Sequence, residues 1–336
     1  MSYTTSEIEE RIKRDFGDTV SIAKKGKVLR KFGSTDQAQT AATSVMGMIA
    51  GIFNETYVEQ NLITHIASSS AADTGVNIEI EGHTSGADVA VTGVVQVAGV
   101  ATLTAAANHG LAAGEWVHVR GANEAGYNGL VQVVSAASDT VFTYAVASAT
   151  ATPATGTVVI NENAKTFVVQ TVALAGQTKT ALSIPLSRVS RIYVPEQTKA
   201  FDMAGTIYVA QNVTFTAGVP QTDAAVHCMI VAGQNQSEKC STTISSSDYW
   251  IIDQMRVSCL EKTAGRFINF FIEIRKEGGV FRRYDDVAAS TATTKEIHFA
   301  EGLVVPKNAD VRVVAESSTN GYDGSASLSG NLAAIQ

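Results

Sequence analysis

The sequence predicts an all-β fold: two β-sandwich domains of the jelly-roll or Ig-like kind, a small inserted β-domain, and a short N-terminal helical arm. Three observations predict it. From Phe32 onward, apolar and β-branched residues alternate with period two, as in "VNIEIEG", "EWVHVRG" and "TVFTYAV". Gly and Asn clusters such as "NEAGYNG" separate these runs at intervals of roughly 8 to 14 residues, the spacing of sandwiches and barrels. No strand-helix-strand alternation occurs, which disfavours a parallel-sheet enzyme. With 336 residues, 45% of them apolar and only 17% charged, the chain has the length for two or three cores. Its Ala, Thr and Val-rich strands suit burial against partners.

Residues 1–35 are expected to form the arm. Ser6 and Glu9 have the form of a capping box, Ile8, Ile12 and Phe16 share one helical stripe, and Gly17 ends the helix. One narrow stripe cannot hold so short a helix folded alone, so Ile8, Ile12 and Phe16 are candidate assembly contacts that dock on this protein or on a neighbour. The stretch from Arg11 to Lys31 carries eight of the 25 Lys and Arg. Diluted by Glu7, Glu9, Glu10, Asp15 and Asp18, it reads as a solvated helix. Deleting residues 1 to 31 is expected to leave a folded body that no longer joins its assembly.

The first sandwich is expected over residues 36–92 and 161–200, whose hairpins look like one interrupted sheet. The block 93–160 begins and ends in Gly, Ala, Thr and Pro and is expected to be a small sandwich seated in a hairpin tip, where chain ends lie close. Residues 201–336 complete a C-terminal sandwich. In "RFINFFIEIRK" the uniformly apolar Ile268, Phe270, Ile272 and Ile274 mark a central strand. "RKEGGVFRRYDD" reads as a hairpin through Gly278 and Gly279, with Arg282 and Arg283 as candidate exposed contacts.

Charge and motif content narrow the function. The net charge is −7, and between Phe32 and Ala164 a single Arg120 faces eleven acids, which disfavours nucleic acid as a partner. Cys228, Cys240 and Cys259 show no CxxC spacing and read as small buried hydrophobes. His227 beside Cys228 lacks the further ligands zinc needs. No GxxxxGK[ST], GxGxxG, GxSxG or HExxH occurs, so neither a cofactor nor an enzyme is expected. The charged Met1–Phe16 segment has no signal-peptide character, and no apolar run reaches the ~18 residues of a membrane span. A soluble protein made in a cytoplasm, with no membrane partner, is the expectation.

Two of the chain's six histidines lie in "ANHGLAAGEWVHVRGANEAGYNGLVQVVSAASDTVFTY". His109 before Gly110 has the form of turn chemistry, its imidazole bonding a local backbone group while Gly110 takes a positive φ. His118 alternates with Val117 and Val119 and points to the other face. Shared catalysis or metal ligation by the pair is therefore not expected.

This stretch resembles a small β-domain of tailed-phage structural proteins, through His109-Gly110-Leu111, Gly114, Val117, Val119, Gly121, Tyr127-Asn128-Gly129 and the Phe142/Tyr144 pair. Flanking runs such as "VHCMIVAGQNQSEKCSTTIS" are similar to strand pairs of phage virion proteins, and the resemblance covers about Ser68 to Val314. It implies a non-enzymatic virion structural protein, made in the bacterial host and assembling as a symmetric oligomer. The implied place is the head, as a decoration or cement protein, or the head-tail junction or tail. Its implied partners are copies of itself and major capsid, portal or tail proteins. The alternative is a host-glycan receptor-binding module in which Tyr127 and Trp116 are exposed stacking faces; a capsule-degrading hydrolase ranks behind both.

Overall fold

A computed structural model describes residues 5–16, 22–35, 43–45, 57–195, 202–259, 267–317 and 324–335. They form one α-helix, three short 3₁₀ turns and 24 strands, paired antiparallel throughout the ladders described below. No helix among them is long and apolar enough to cross a membrane. Internal contacts divide the chain into two units: residues 85–165 with 277–279, and the remainder.

The remainder contains two sandwiches. In the first, Asn77–Thr84 lies between Thr166–Ala173 and Arg188–Tyr193. The facing sheet runs Thr180–Leu186, Ile63–Ser68, Ile207–Gln211, Val226–Ile230. Period-two alternation turns Ile66, Ile78, Ile80, Leu186, Ile192 and Val209 into one buried layer. Ile207–Gln211 and Val226–Ile230, assigned by sequence to the C-terminal domain, complete this sheet, so the first sandwich extends well past residue 200.

In the second sandwich, one sheet runs Ile22–Thr35, Gly324–Ile335, Asp248–Cys259, Thr293–Val305. The other runs Ser241–Thr243, Asp310–Ser317, Phe267–Arg275, Arg282–Ser290, with Thr43–Val45 added along Asp310–Ser317. Ile268, Phe270, Ile272 and Ile274 face Trp250, Met255 and Leu328 across the core. The expected solvated helix up to Lys31 is corrected here. "IAKKGKVLRKFGST" is a strand at the sheet edge, in register with the C-terminal strand from Ile22↔Ile335 to Thr35↔Gly324. Its lysines hide the strand pattern, and lysines are what blunts an edge strand against adding another chain.

The helix Thr5–Phe16 is also more than an arm. Ile8 and Ile12, 3% and 0% exposed, pack on Tyr249, Ile251, Val304 and Ala333, the outer face of that sheet, and Arg11 Nη2 donates to the Gly302 carbonyl at 2.8 Å. Their apolar stripe is covered by the protein's own sandwich, so neither is free to contact a neighbour. Phe16 closes the helix, and its side chain lies outside the described residues. Ser6 sits inside the first turn, one residue past the helix start, so it is not the cap.

The inserted unit is a closed six-stranded barrel, not a small sandwich. Its order is Gly156–Glu162, Asp88–Val97, Val100–Ala105, Val141–Ala145, Gly129–Ser138, Trp116–Ala122. Closure comes from Trp116–Ala122, which pairs with Gly129–Ser138 on one side and Gly156–Glu162 on the other. The sheet thereby loses its edges. Leu103, Val117, Val119, Tyr127, Phe142 and Tyr144 fill the interior, as side chains do in a barrel this narrow.

Candidate functional site

The turn and core residues of the stretch from Ala107 to Tyr144 have architectural positions in the barrel. His109 Nδ1 accepts the Leu111 N–H at 3.0 Å while its ring meets Phe142 edge-on at 5.2 Å, and Gly110 adopts φ +67°. The Asn128 amide brackets Ala122, donating to its carbonyl at 2.7 Å and accepting its N–H at 3.0 Å. Gly121 holds φ +86° where a Cβ would fall on the Thr157 carbonyl. Tyr127 is 0% exposed, and its carbonyl accepts the Tyr144 hydroxyl at 3.3 Å. The expectation of an exposed Tyr127 is thereby overturned: the 3₁₀ turn Ala125–Tyr127 drives the ring into the barrel, where burying it is worth more than leaving it wet. His118 is half-buried on the strand Trp116–Ala122, on a different element from His109. Trp116 is half-buried.

The barrel exposes four valines among polar groups. Val95, Val97 and Val100 project from the hairpin of Asp88–Val97 and Val100–Ala105, Val97 with 76% of its surface exposed, and Val134 projects from Gly129–Ser138. The first sandwich exposes a second set. Thr166–Ala173 and Thr180–Leu186 are the edge strands of its two sheets, tied by Gln170, whose Nε2 donates to the Ile184 carbonyl at 2.7 Å and whose Oε1 accepts the Ile184 N–H at 3.0 Å. Phe167, Val169 and Ile184 remain uncovered on these edges. All three lie on strands whose outer edge has no further strand in its sheet.

The candidate contacts Arg282 and Arg283 of the "RKEGGVFRRYDD" hairpin are both exposed. Arg283 is also engaged within the protein: it pairs with Glu316 and Glu273, and its guanidinium lies 3.9 Å from the centre of the Phe271 ring. Beside it runs a ladder that sequence reasoning missed. Arg188 and Arg275 flank Tyr57 at 5.0 and 4.4 Å, and Arg275 and Arg312 approach Phe281 at 5.3 and 3.9 Å. Asp310 anchors it, accepting Arg188 Nε at 3.0 Å, Arg275 Nε at 2.9 Å and Thr243 Oγ1 at 2.5 Å. Burial alone would raise the Asp310 carboxyl, but Arg188 and Arg275 outweigh it and hold the group well below the usual carboxylate range. Arg188 comes from the first sandwich and Asp310 from the second, so this cluster locks the two sandwiches into one unit.

A second missed feature is a recess of about 420 Å³ lined by Arg30, Lys31, Arg191, Lys239 and Arg256. No spacing in the sequence announces it, because these residues come from four separated segments. Cys228 and Cys240, by contrast, lie where sequence reasoning put them, buried in the two sandwich cores. His227, next to Cys228, meets Gln211 at 3.1 Å.

No family model matches the chain, and no curated protein matches it. Among solved structures, the phage phi92 endosialidase is similar at TM-score 0.18 and 11% identity over 69% of this chain. This chain spans 42% of the length of that endosialidase. The CBM22-1-CBM22-2 tandem domain of Paenibacillus barcinonensis Xyn10C is similar at TM-score 0.21 and 12% identity, over 93% of this chain and 100% of its own. The infectious bursal disease virus Gx strain structure matches at TM-score 0.21 and 9% identity, over 94% of this chain and 76% of its own. Likenesses at these TM-scores carry no argument about what this chain does.

Proposed function

We propose that the chain is a non-enzymatic structural protein of a tailed-phage virion, assembling as a symmetric oligomer on the head as a decoration or cement protein, or at the head-tail junction or tail. The observation that carries this reading is the barrel. The residues through which it resembles phage structural modules are consumed by turns and core, and the large apolar groups it leaves exposed are Val95, Val97, Val100 and Val134. A module so built has a contact surface to contribute. The edge pair bearing Phe167, Val169 and Ile184 supplies a second surface on the body, and closed symmetric assembly covers such patches by pairing copies. The partners in this reading are copies of the chain and capsid, portal or tail proteins. The glycan-receptor alternative has lost Tyr127 as a stacking face.

Quantitative mass spectrometry of density-purified particles from the genome encoding this chain tests the proposal. The expected result is the chain at multiple copies per particle. Its confinement to the infected-cell lysate, with none in the particles, contradicts it.

A further inference from the structure

The basic recess belongs to none of the surfaces above, and its composition is at odds with the rest of the molecule. The chain holds 25 Lys and Arg against 32 Asp and Glu, yet among the described residues five cations and no carboxylate line this space. Arg30 and Lys31 come from the edge strand Ile22–Thr35, Arg256 from Asp248–Cys259, Arg191 from Arg188–Tyr193, and Lys239 from the approach to Ser241–Thr243. Glu81, the acid that acts on Lys31, stands opposite Arg191 in the sheet register and is not part of the lining.

The cations are positioned for a ligand. Lys31 Nζ donates to the Ser190 carbonyl at 2.5 Å, and Lys239 Nζ to the Val189 and His227 carbonyls at 3.1 and 3.2 Å, which fixes both ammonium groups in place. Arg191 is stacked on Tyr193 at 4.3 Å and held by Gln236 Oε1 at 2.8 Å, so its planar fork is pre-organised. Register places Ser329 between Arg30 and Gln254, where its hydroxyl donates to Gln254 Oε1 at 3.1 Å, and Ser327 beside Arg256, so the Gln254 amide and the Ser327 hydroxyl add neutral donors to the lining. Burial and the Lys239 ammonium depress Lys31 to about 8, as expected of a charge short of counter-charge.

We propose that this pocket binds a small phosphate-bearing anion of the pyrophosphate kind. A single carboxylate would answer one of five cations. Linked phosphates carry several charges, match guanidinium forks and ammonium points together, and fit a space of this size.

Isothermal titration of the full chain at low ionic strength tests this, with pyrophosphate as probe, ATP as the nucleotide form of the same chemistry and acetate as the carboxylate control. Pyrophosphate is expected to bind more tightly than about 1 mM, and acetate at least about tenfold more weakly. Arg30→Ser and Arg256→Ser, both at exposed positions, are expected to weaken binding by about tenfold each at unchanged melting temperature. Arg282→Ser, outside the pocket, is expected to bind as the parent does. Equal binding of ATP identifies a nucleotide phosphate chain as a source, and binding of pyrophosphate alone identifies a free phosphate; both uphold the proposal. Absence of pyrophosphate binding, acetate binding of equal strength, or full binding by both serine variants overturns it.

Discussion

The inserted barrel and the second sandwich are both antiparallel and both apolar inside, yet they are secured differently. In the barrel, hairpin partners are near in sequence, as Val97↔Val100 and Val119↔Gly129 show, glycines and an asparagine shape the turns, and closure sets the first strand against the last, with Val89 opposite Ile160. Its salt bridge, Arg120 with Asp88, is solvent-exposed, where such pairs contribute little. The second sandwich is closed by its first and last strands, with Ile22 opposite Ile335, and is tied to the first sandwich through a buried carboxylate. One region adds local turn chemistry and packing to its closure, the other a closure that spans nearly the whole chain and a buried charge cluster. Each carries one of the chain's two tryptophans, Trp116 in the barrel and Trp250 in the sandwich core, so emission of the Trp250→Phe and Trp116→Phe backgrounds can follow them separately.

The largest break in that comparison comes from Asp310→Ala. It leaves Arg188 buried without its principal counter-charge, which costs about 3–5 kcal/mol. The Trp250 transition should fall sharply in denaturant while the Trp116 transition holds. Acid has the same polarity. Because the folded pKa of Asp310 lies below its unfolded value, the contribution of the pair is complete above the ordinary carboxylate range and is lost as pH falls through it.

Deleting residues 1 to 31 comes next. It strips most of an eleven-pair strand register and uncovers Tyr249 and Ile251, so a broadened or lowered Trp250 transition is expected in thermal melts followed by emission. The folded, assembly-deficient body that the sequence led us to expect is not what this pairing predicts.

Tyr127→Ala is the matching break in the barrel. Emptying that interior costs about 3–5 kcal/mol at the upper end for an aromatic, and the Trp116 transition should be the one that moves. A smaller effect sharpens the contrast through pH. Lys31, at about 8 when folded against 10.5 unfolded, opposes folding while charged, so stability from this group rises between about pH 8 and 10.5. Lys31→Met should flatten that rise in chemical denaturation. Arg282→Ala, exposed on its hairpin, should change stability by no more than about 0.5 kcal/mol.

The same contrast governs what the sequence disclosed. The strand pattern, the insertion of a separate β-module and the turn roles of His109 and Gly110 were legible because each is written within a few residues. Tyr127 was misplaced because a polar-tipped ring in a Gly-rich loop looks wet until closure turns it inward. Ile22–Thr35 was missed because an edge strand rich in lysine has the composition of a solvated segment. The Asp310 cluster and the basic recess were illegible for a stronger reason. Arg188 lies 122 residues from Asp310, and the recess gathers cations from four segments that only the finished topology brings together.

Cryo-electron microscopy of the phage particle that carries this gene tests the central claim most directly. The account predicts density for this chain at symmetry-related positions on the head or tail, with the valine-bearing barrel hairpin or the Phe167/Val169 edge against a neighbouring subunit. A complete particle map in which every density is assigned and none is this chain would contradict it.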